Sequence, residues 1–185
     1  MTTFLLILFI MLGSTSFSVA QAAIPKNSLE YDFTVVIFLG LECPVSQKYI
    51  TKLNTIYSTY KNKQKIEWLF VIPEVVKKRQ IKKFSKQFKV QFELKSDESN
   101  QSITLAYGAT ATPEAFIKKD GKILYRGAID NWFYELGRYR QVVTENYLID
   151  ALESVLRNQE PLIKETTPIG CFIQQSSSAI HDHEK

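Results

Sequence analysis

The spacing of apolar positions along this chain changes between two periods and predicts an α/β protein. A nearly continuous apolar run over 33–39 predicts a strand buried on both faces, as in the middle of a covered sheet. From Pro44, apolar residues recur at spacings of three and four, which predicts a helix that ends near Asn62. The strand pattern returns over 66–72 and stops at Pro73. These two strands are therefore expected to be parallel and joined by the helix.

The remaining pattern predicts further helices and strands in one mixed sheet. Asp97 or Ser99 is a candidate helix cap, and Asp120-Gly121 is a strong hairpin turn. The aromatic stretch 127–140 is expected to be irregular. The predicted helices cover 75–89, 97–107 and 144–158, and the predicted strands cover 90–94, 114–118 and 123–126. The fold class is α/β, a three-layer arrangement with helices on both faces of a mixed central sheet.

The N-terminus resembles a secretory signal. Residues 1–22 hold a short apolar run followed by small residues and Ala20-Gln21-Ala22, an A-x-A-like cleavage site. The division expected is therefore a signal peptide over 1–22, a domain over 23–173 and a disordered polar tail over 174–185. An uncleaved membrane tether is the alternative, because no Lys or Arg precedes the run. After cleavage no integral membrane segment is expected, and the compartment is either periplasmic or extracellular.

Composition and charge narrow the function classes. The chain has 185 residues, 45% hydrophobic and 23% charged, which suits one domain with a sizeable core. A net charge of +4 does not favour nucleic acid as a partner. Seven Lys and Arg residues between Glu74 and Glu93, with no acid among them, form a local excess. This is either a solvated face or a docking surface for an acidic partner or a membrane.

Cys43 is the first candidate for chemistry. It lies between the first strand and Pro44, the expected first residue of a helix. The N–H groups at a helix start favour a thiolate over a thiol, so Cys43 is predicted to be reactive rather than inert. The second cysteine, Cys171, is in an apolar segment, 168–173, that is expected to dock on the domain.

These motifs resemble the thioredoxin-like superfamily, within its redoxin group related to the alkyl hydroperoxide reductase/thiol-specific antioxidant family. Cys43 and Ser46 match the two cysteine positions of the C-x-x-C motif, and Thr112-Pro113 matches the cis-proline site. The resemblance implies a thiol–disulfide oxidoreductase or antioxidant redoxin with Cys43 as nucleophile. Pro44, Thr112 and Pro113 would then border the substrate, and Ser46 would hydrogen-bond the thiolate.

Ser46 in place of a second cysteine leaves three fates for Cys43. Cys171 resolves an oxidised Cys43, or Cys43 works alone with external thiols, or the two cysteines form a structural disulfide. Peroxidase activity is a weaker expectation than disulfide exchange, because residues 38–42 lack the peroxiredoxin P-x-x-x-T/S-x-x-C pattern.

Two rival classes remain at this stage. One is a catalytically silent binding module that uses the aromatic stretch 132–139 and the basic helix. The other is a metal site formed by His181, Asp182 and His183 with Cys171. No organic cofactor is predicted, since the chain has no Gly-rich phosphate loop. No metal is predicted either, because two histidines on a polar tail are more often exposed to solvent and without a ligand role. The expected partners are proteins with thiols or disulfides, or small thiols, and the oligomeric state is unknown.

Overall fold

A computed structural model describes residues 32–63, 66–97 and 100–174. The predicted signal peptide at 1–22, Ser99, His181, His183 and the tail beyond Gln174 lie outside these described residues. Within them, no helix has the length and apolar character needed to cross a membrane.

The central sheet has five strands in the order β3-β2-β1-β5-β6, and the mixed topology predicted from the sequence is confirmed. β2 runs parallel to both β1 and β3, whereas β5 is antiparallel to β1 and β6. Two small ladders, β4 with β9 and β7 with β8, flank the sheet. The strands are β1 (Phe33–Phe38), β2 (Ile66–Ile72), β3 (Leu94–Ser96), β4 (Ala111–Thr112), β5 (Glu114–Lys119), β6 (Lys122–Gly127), β7 (Phe133–Glu135), β8 (Arg138–Tyr139) and β9 (Cys171–Phe172).

Alternate residues of β1 enter two separate cores, which explains its nearly continuous apolar sequence. Val35 and Ile37 pack on the side that receives helices α1 (Pro44–Tyr60), α2 (Lys78–Phe88) and α4 (Tyr147–Leu156). Val36 and Phe38 pack on the opposite side, against residues of α3 (Ser102–Tyr107). Helices on both faces are therefore confirmed, and β1 is the buried centre of the sheet that delivers its C-terminal end to Cys43.

Three local predictions are wrong, each for a tertiary reason. α2 begins at Lys78 and not at residue 75, because Lys77 has an extended backbone and Val76 donates its N–H to Ser96 Oγ at 3.0 Å. The strand expected over 90–94 is displaced to β3, which pairs with the end of β2. The stretch expected to be irregular contains the β7–β8 hairpin, in which Trp132, Phe133 and Tyr139 pack ring against ring.

The helix expected over 97–107 ends as predicted at Tyr107, but it begins at Ser102 with Gln101 as its N-cap, so Asp97 is not the N-cap residue. Asp97 accepts hydrogen bonds from the N–H groups of Ile103 at 3.2 Å and Thr104 at 2.8 Å, and so satisfies donors in the first turn of α3. Asp120 and Gly121 both adopt positive φ, 49° and 78°, as a two-residue hairpin turn requires. The hairpin places β6 beside β5, whose first residue follows the loop that contacts Cys43.

Candidate active site at the start of helix α1

Cys43 is the N-cap residue of α1. Its backbone is extended, with φ −79° and ψ 113°, and its sulfur accepts a hydrogen bond from the N–H of Ser46 at 3.5 Å. Pro44 occupies the first turn, where its missing N–H leaves no bond unmade. The Ser46 hydroxyl oxygen in turn accepts from the N–H of Gly40 at 3.2 Å. The strand-to-helix connection therefore holds the sulfur at the positive end of the helix, as the sequence predicts.

The loop before β5 brings Thr112 against this sulfur. The Thr112–Pro113 peptide bond is cis, and the carbonyl oxygen of Thr112 lies 3.0 Å from Cys43 Sγ, so the thiol form of Cys43 donates to it. Gly40 makes the approach possible, because a Cβ there would lie 2.8 Å from Thr112 Oγ1. Thr112 and Pro113 are both buried.

Glu114 fixes the conformation of that loop from beneath. It is 1% exposed, and its carboxylate accepts from the N–H groups of Thr110 at 2.7 Å and Ala111 at 3.1 Å. Arg126 lies 3.5 Å from the other carboxylate oxygen and donates to the carbonyl of Gly108 at 2.9 Å. The buried Glu114 carboxylate therefore has an oppositely charged partner and two N–H donors. These contacts hold β4 in place beside Cys43.

Strand β9 lies along the free edge of β4. Cys171 is the pairing partner of Thr112, and the N–H of Ile173 donates to the carbonyl of Thr110 at 2.9 Å. Gly170 allows the close approach, because a Cβ at that position would lie 2.0 Å from the carbonyl oxygen of Thr112. The backbone edge next to the cis bond is therefore occupied by the chain's own C-terminal segment.

The two cysteines meet as free thiols and differ in their protonation. Burial raises the pKa of the Cys43 thiol, but hydrogen bonds from Cys171 and Ser46 outweigh that penalty and hold the pKa below its ordinary value of 9.0. For Cys171, burial and the hydrogen bond and charge of Cys43 raise the pKa to about 11. Cys43 is therefore the sulfur that ionises first, and Cys171 stays protonated and donates to it.

A cleft opens beside the two sulfurs. This inner cleft has a volume of about 290 Å³ and is bordered by Cys43 and Cys171. Cys43 itself is only 3% exposed, whereas Phe172, the neighbour of Cys171 on the rim, is 86% exposed. Both residues of β9 thus border the cleft in which the Cys43 sulfur lies. The inner cleft is lined by Gly40, Leu41, Glu42, Cys43, Glu74, Val76, Gln80, Thr112, Cys171 and Phe172.

A second buried carboxylate anchors α1 one turn behind the site. Asp130 is 1% exposed and accepts from the Tyr49 hydroxyl at 2.5 Å, from the N–H of Trp132 at 2.8 Å and from Lys52. Burial and the contact with Asp130 raise the pKa of Tyr49, so its hydroxyl remains a donor. The two buried carboxylates thus have separate basic partners, because Arg126 pairs with Glu114 and Lys52 pairs with Asp130.

The structure brings together all six residues that the sequence singled out. Cys43, Pro44 and Ser46 form the start of α1, Thr112 and Pro113 form the loop, and Cys171 reaches across from β9. Sequence reasoning missed Glu114 and Gly170. Their sequence signals are weak: Glu114 is an acid directly after a Thr-Pro pair, and Gly170 is a glycine directly before a cysteine. Neither signal indicates which residues the side chain or backbone will contact. No group of His, Cys, Asp and Glu residues suited to a metal occurs among the described residues.

A mixed sheet with a cysteine at the first helix start, opposite a cis-proline loop, defines a thioredoxin-like protein. The chain matches the AhpC/TSA family over residues 16–126, which is more than half of its length. It belongs to this family and is a thioredoxin-like redoxin.

Comparison with solved structures supports the fold. A hypothetical protein from Sinorhizobium meliloti 1021 is 21% identical, with a TM-score of 0.67, and the match covers 79% of this chain and 81% of that one. An uncharacterized conserved protein from Geobacillus kaustophilus is 24% identical, with a TM-score of 0.65, and the match covers 80% and 79%. No curated protein matches the chain.

The pH dependence of thiolate formation tests the electrostatics of the pair. The ultraviolet absorbance of the first thiolate is expected to appear below the ordinary cysteine pKa of 9.0 in the reduced protein and to vanish in Cys43→Ser. In Cys171→Ala the midpoint is expected to rise, because a hydrogen bond to the thiolate is lost. An unchanged midpoint in Cys171→Ala would show that the two sulfurs are not in contact in solution.

Gly170→Ala tests the docking of β9. The added methyl group would collide with the Thr112 carbonyl, so the segment must shift and carry Cys171 away from Cys43. Formation of a Cys43–Cys171 disulfide under mild oxidation is expected to slow by about tenfold or more, because the reaction depends on close placement of the sulfurs. Thr167→Ala, at an exposed position in the same segment, is the control and should keep the wild-type rate.

Proposed function

We propose that the protein is an exported thiol–disulfide oxidoreductase in which Cys43 is the nucleophile and Cys171 is the resolving cysteine. The observation that supports this most directly is the contact between two free cysteines of opposite protonation tendency at a helix start. Family membership supports the same class of chemistry.

The proposed cycle begins with the Cys43 thiolate. It attacks one sulfur of a partner disulfide, the partner's S–S bond breaks, and the electron pair leaves on the partner's other sulfur, which takes a proton. The result is a mixed disulfide between Cys43 and the partner. Cys171 then loses its proton and attacks Cys43 Sγ, which releases the second partner thiol. The partner disulfide gains two electrons, and the protein ends as a Cys43–Cys171 disulfide.

Cys43 and Cys171 have unequal parts in this cycle because their pKa values differ in direction. The thiolate is the attacking species, so the sulfur of lower pKa starts the exchange. Cys171, with its pKa raised to about 11, does not compete for the partner. Once Cys43 is joined to the partner it carries no negative charge, so one of the causes that raise the pKa of Cys171 is removed.

Ser46, Pro44, Thr112 and Pro113 have supporting parts in the proposal. The N–H of Ser46 stabilises the attacking Cys43 thiolate. Pro44 is exposed beside the sulfur, whereas Thr112 and Pro113 are buried and Thr112 is paired with Cys171 of β9. A partner that uses the edge of β4 must therefore displace β9 as it binds.

A second candidate function follows from the low exposure of Cys43. With 3% of its surface exposed, Cys43 also suits a structural disulfide that fastens β9 in a binding module. Reduction potentials separate the two possibilities. Structural disulfides of secreted proteins lie below about −300 mV, whereas the disulfides of thiol-exchange proteins lie between about −270 and −120 mV.

Single-cysteine variants test the assignment of roles. With a disulfide-bonded, self-quenched peptide as substrate, wild type should reduce the peptide in one turnover, and Cys43→Ser should be no faster than the uncatalysed background. Cys171→Ser should accumulate a mixed disulfide at Cys43 that mass spectrometry detects and that wild type does not retain. Accumulation of a mixed disulfide at Cys171 in Cys43→Ser would reverse the two roles. A wild-type protein as slow as Cys43→Ser, with a potential below about −300 mV, would favour the binding module.

Export is tested by the mature N-terminus. If residues 1–22 act as a signal, the protein recovered from the exported fraction should begin at Ala23, as mass spectrometry would show. Replacing Leu8 with Arg interrupts the apolar run and should retain the full-length chain in the cytoplasm. A full-length chain that fractionates with membranes would instead indicate an uncleaved tether.

A further inference from the structure

The inner cleft beside the two sulfurs continues into a second cleft along α2. This outer cleft has a volume of about 300 Å³, and it shares Leu41, Glu42 and Gln80 with the inner cleft. The two clefts therefore adjoin and form one path from Cys43 to the far end of α2. The other residues of the outer cleft are Gln47, Lys83, Phe84, Gln87 and Phe88.

The chemistry of the outer cleft suits an extended polypeptide. Phe84 and Phe88 supply apolar surface, and Gln47, Gln80 and Gln87 supply side-chain amides that can bind a peptide backbone. The apolar groups can contact the side chains of a bound peptide while the amides hydrogen-bond its backbone.

The helix that forms the wall of the outer cleft is strongly basic. Every Lys and Arg between Glu74 and Glu93 is exposed, and none takes part in an ion pair formed within the described residues. These positive charges repel one another and have no acidic neighbour on the helix. They are Lys77, Lys78, Arg79, Lys82, Lys83, Lys86 and Lys89.

The inner cleft has the opposite charge. Glu42 and Glu74 border it, and no basic residue does, whereas the outer cleft has Glu42 only at the shared end and has Lys83 along α2. A carboxylate next to the reacting cysteine of a partner would therefore be repelled, whereas one lying over α2 would be attracted. This reversal of sign along a single path fixes the direction in which an acidic chain would lie.

We propose that this path docks an acidic segment of the partner protein whose disulfide exchanges with Cys43. The partner's cysteine lies in the inner cleft, and its carboxylates lie over α2. From Gln80 to Lys86 the helix advances about 9 Å, which an extended chain spans in about three residues. The carboxylates are thus expected about three to five residues from the partner's cysteine. The inference rests on the function proposed above and adds the substrate class.

Peptide thiols activated with thionitrobenzoate give a direct test. The Cys43 thiolate attacks the peptide sulfur, the S–S bond of the activated peptide breaks, and thionitrobenzoate leaves with the electron pair and is seen by its absorbance. Three peptides share one cysteine and a short Gly-Ser spacer and differ only in an arm of four residues, which is acidic, amide or basic. The amide peptide measures the exchange itself and depends on the function proposed above, whereas the ratio of acidic to amide rates measures docking.

The acidic peptide is expected to react about 3- to 10-fold faster than the amide peptide at low ionic strength, and this gain should fall as salt is added. The double variant Lys83→Gln with Lys86→Gln should lose most of the gain, measured as the ratio of acidic to amide rates within the same protein. The matched control is Lys61→Gln with Lys63→Gln, which removes the same charge just beyond the C-terminal end of α1, about 25 Å from Cys43 along that helix. The control should keep the gain. Lys83→Glu with Lys86→Glu should transfer the preference to the basic peptide.

Two results would overturn the proposal without affecting the exchange reaction. One is equal rates for the acidic and amide peptides in wild type, with both rates dependent on Cys43. The other comes from vesicles of phosphatidylcholine with phosphatidylglycerol. If wild type binds them, the α2 variant does not, and the peptide ratio is the same in both proteins, then α2 docks on an anionic lipid surface and not on an acidic protein segment.

Discussion

The charge on one sulfur atom is the feature on which the site depends. Burial raises the pKa of the Cys43 thiol, but hydrogen bonds from Cys171 and Ser46 outweigh burial and lower the pKa below its ordinary value. Ser46 comes from the same helix start, but Cys171 comes from the other end of the domain. The ionisation of a residue near the beginning of the fold therefore depends on correct docking of its last strand.

Thr112 is the point at which the two cysteines are brought into register. Its carbonyl faces Cys43 Sγ at 3.0 Å, and its backbone pairs with Cys171. The carboxylate of Glu114 holds the residues just before Thr112, and the ion pair of Glu114 with Arg126 ties them to β6. A buried carboxylate that has lost these donors would be costly, so the loop has little freedom to move on its own. Because the loop that contains Thr112 is rigid, β9 is the neighbouring element that can move away from Cys43.

The sequence is informative where the structure is local, and less so where distant segments meet. The strand, the turn and Pro44 identify the setting of Cys43 because all three lie within a few residues of it. Thr112 and Pro113 followed from resemblance, since nothing near them points to Cys43. β9 has two residues and no periodicity, and its partner Thr112 lies 59 residues away from Cys171, so its pairing could not be predicted. The start of α2 was misplaced because the hydrogen bond of Val76 to Ser96 is also a tertiary contact.

The low exposure of Cys43 and the shortness of β9 both bear on how a partner reaches the sulfur. A sulfur that is 3% exposed does not meet a macromolecular partner unless part of its cover moves. The ladders of the five-stranded sheet have three to six residue pairs, whereas β9 pairs through two residues, so local opening costs less at β9 than within the sheet. In the proposed cycle the element that opens is also the one that carries the second thiol. Its return after exchange both shields the mixed disulfide from other thiols and brings the resolving sulfur into contact, so a single movement serves protection and resolution.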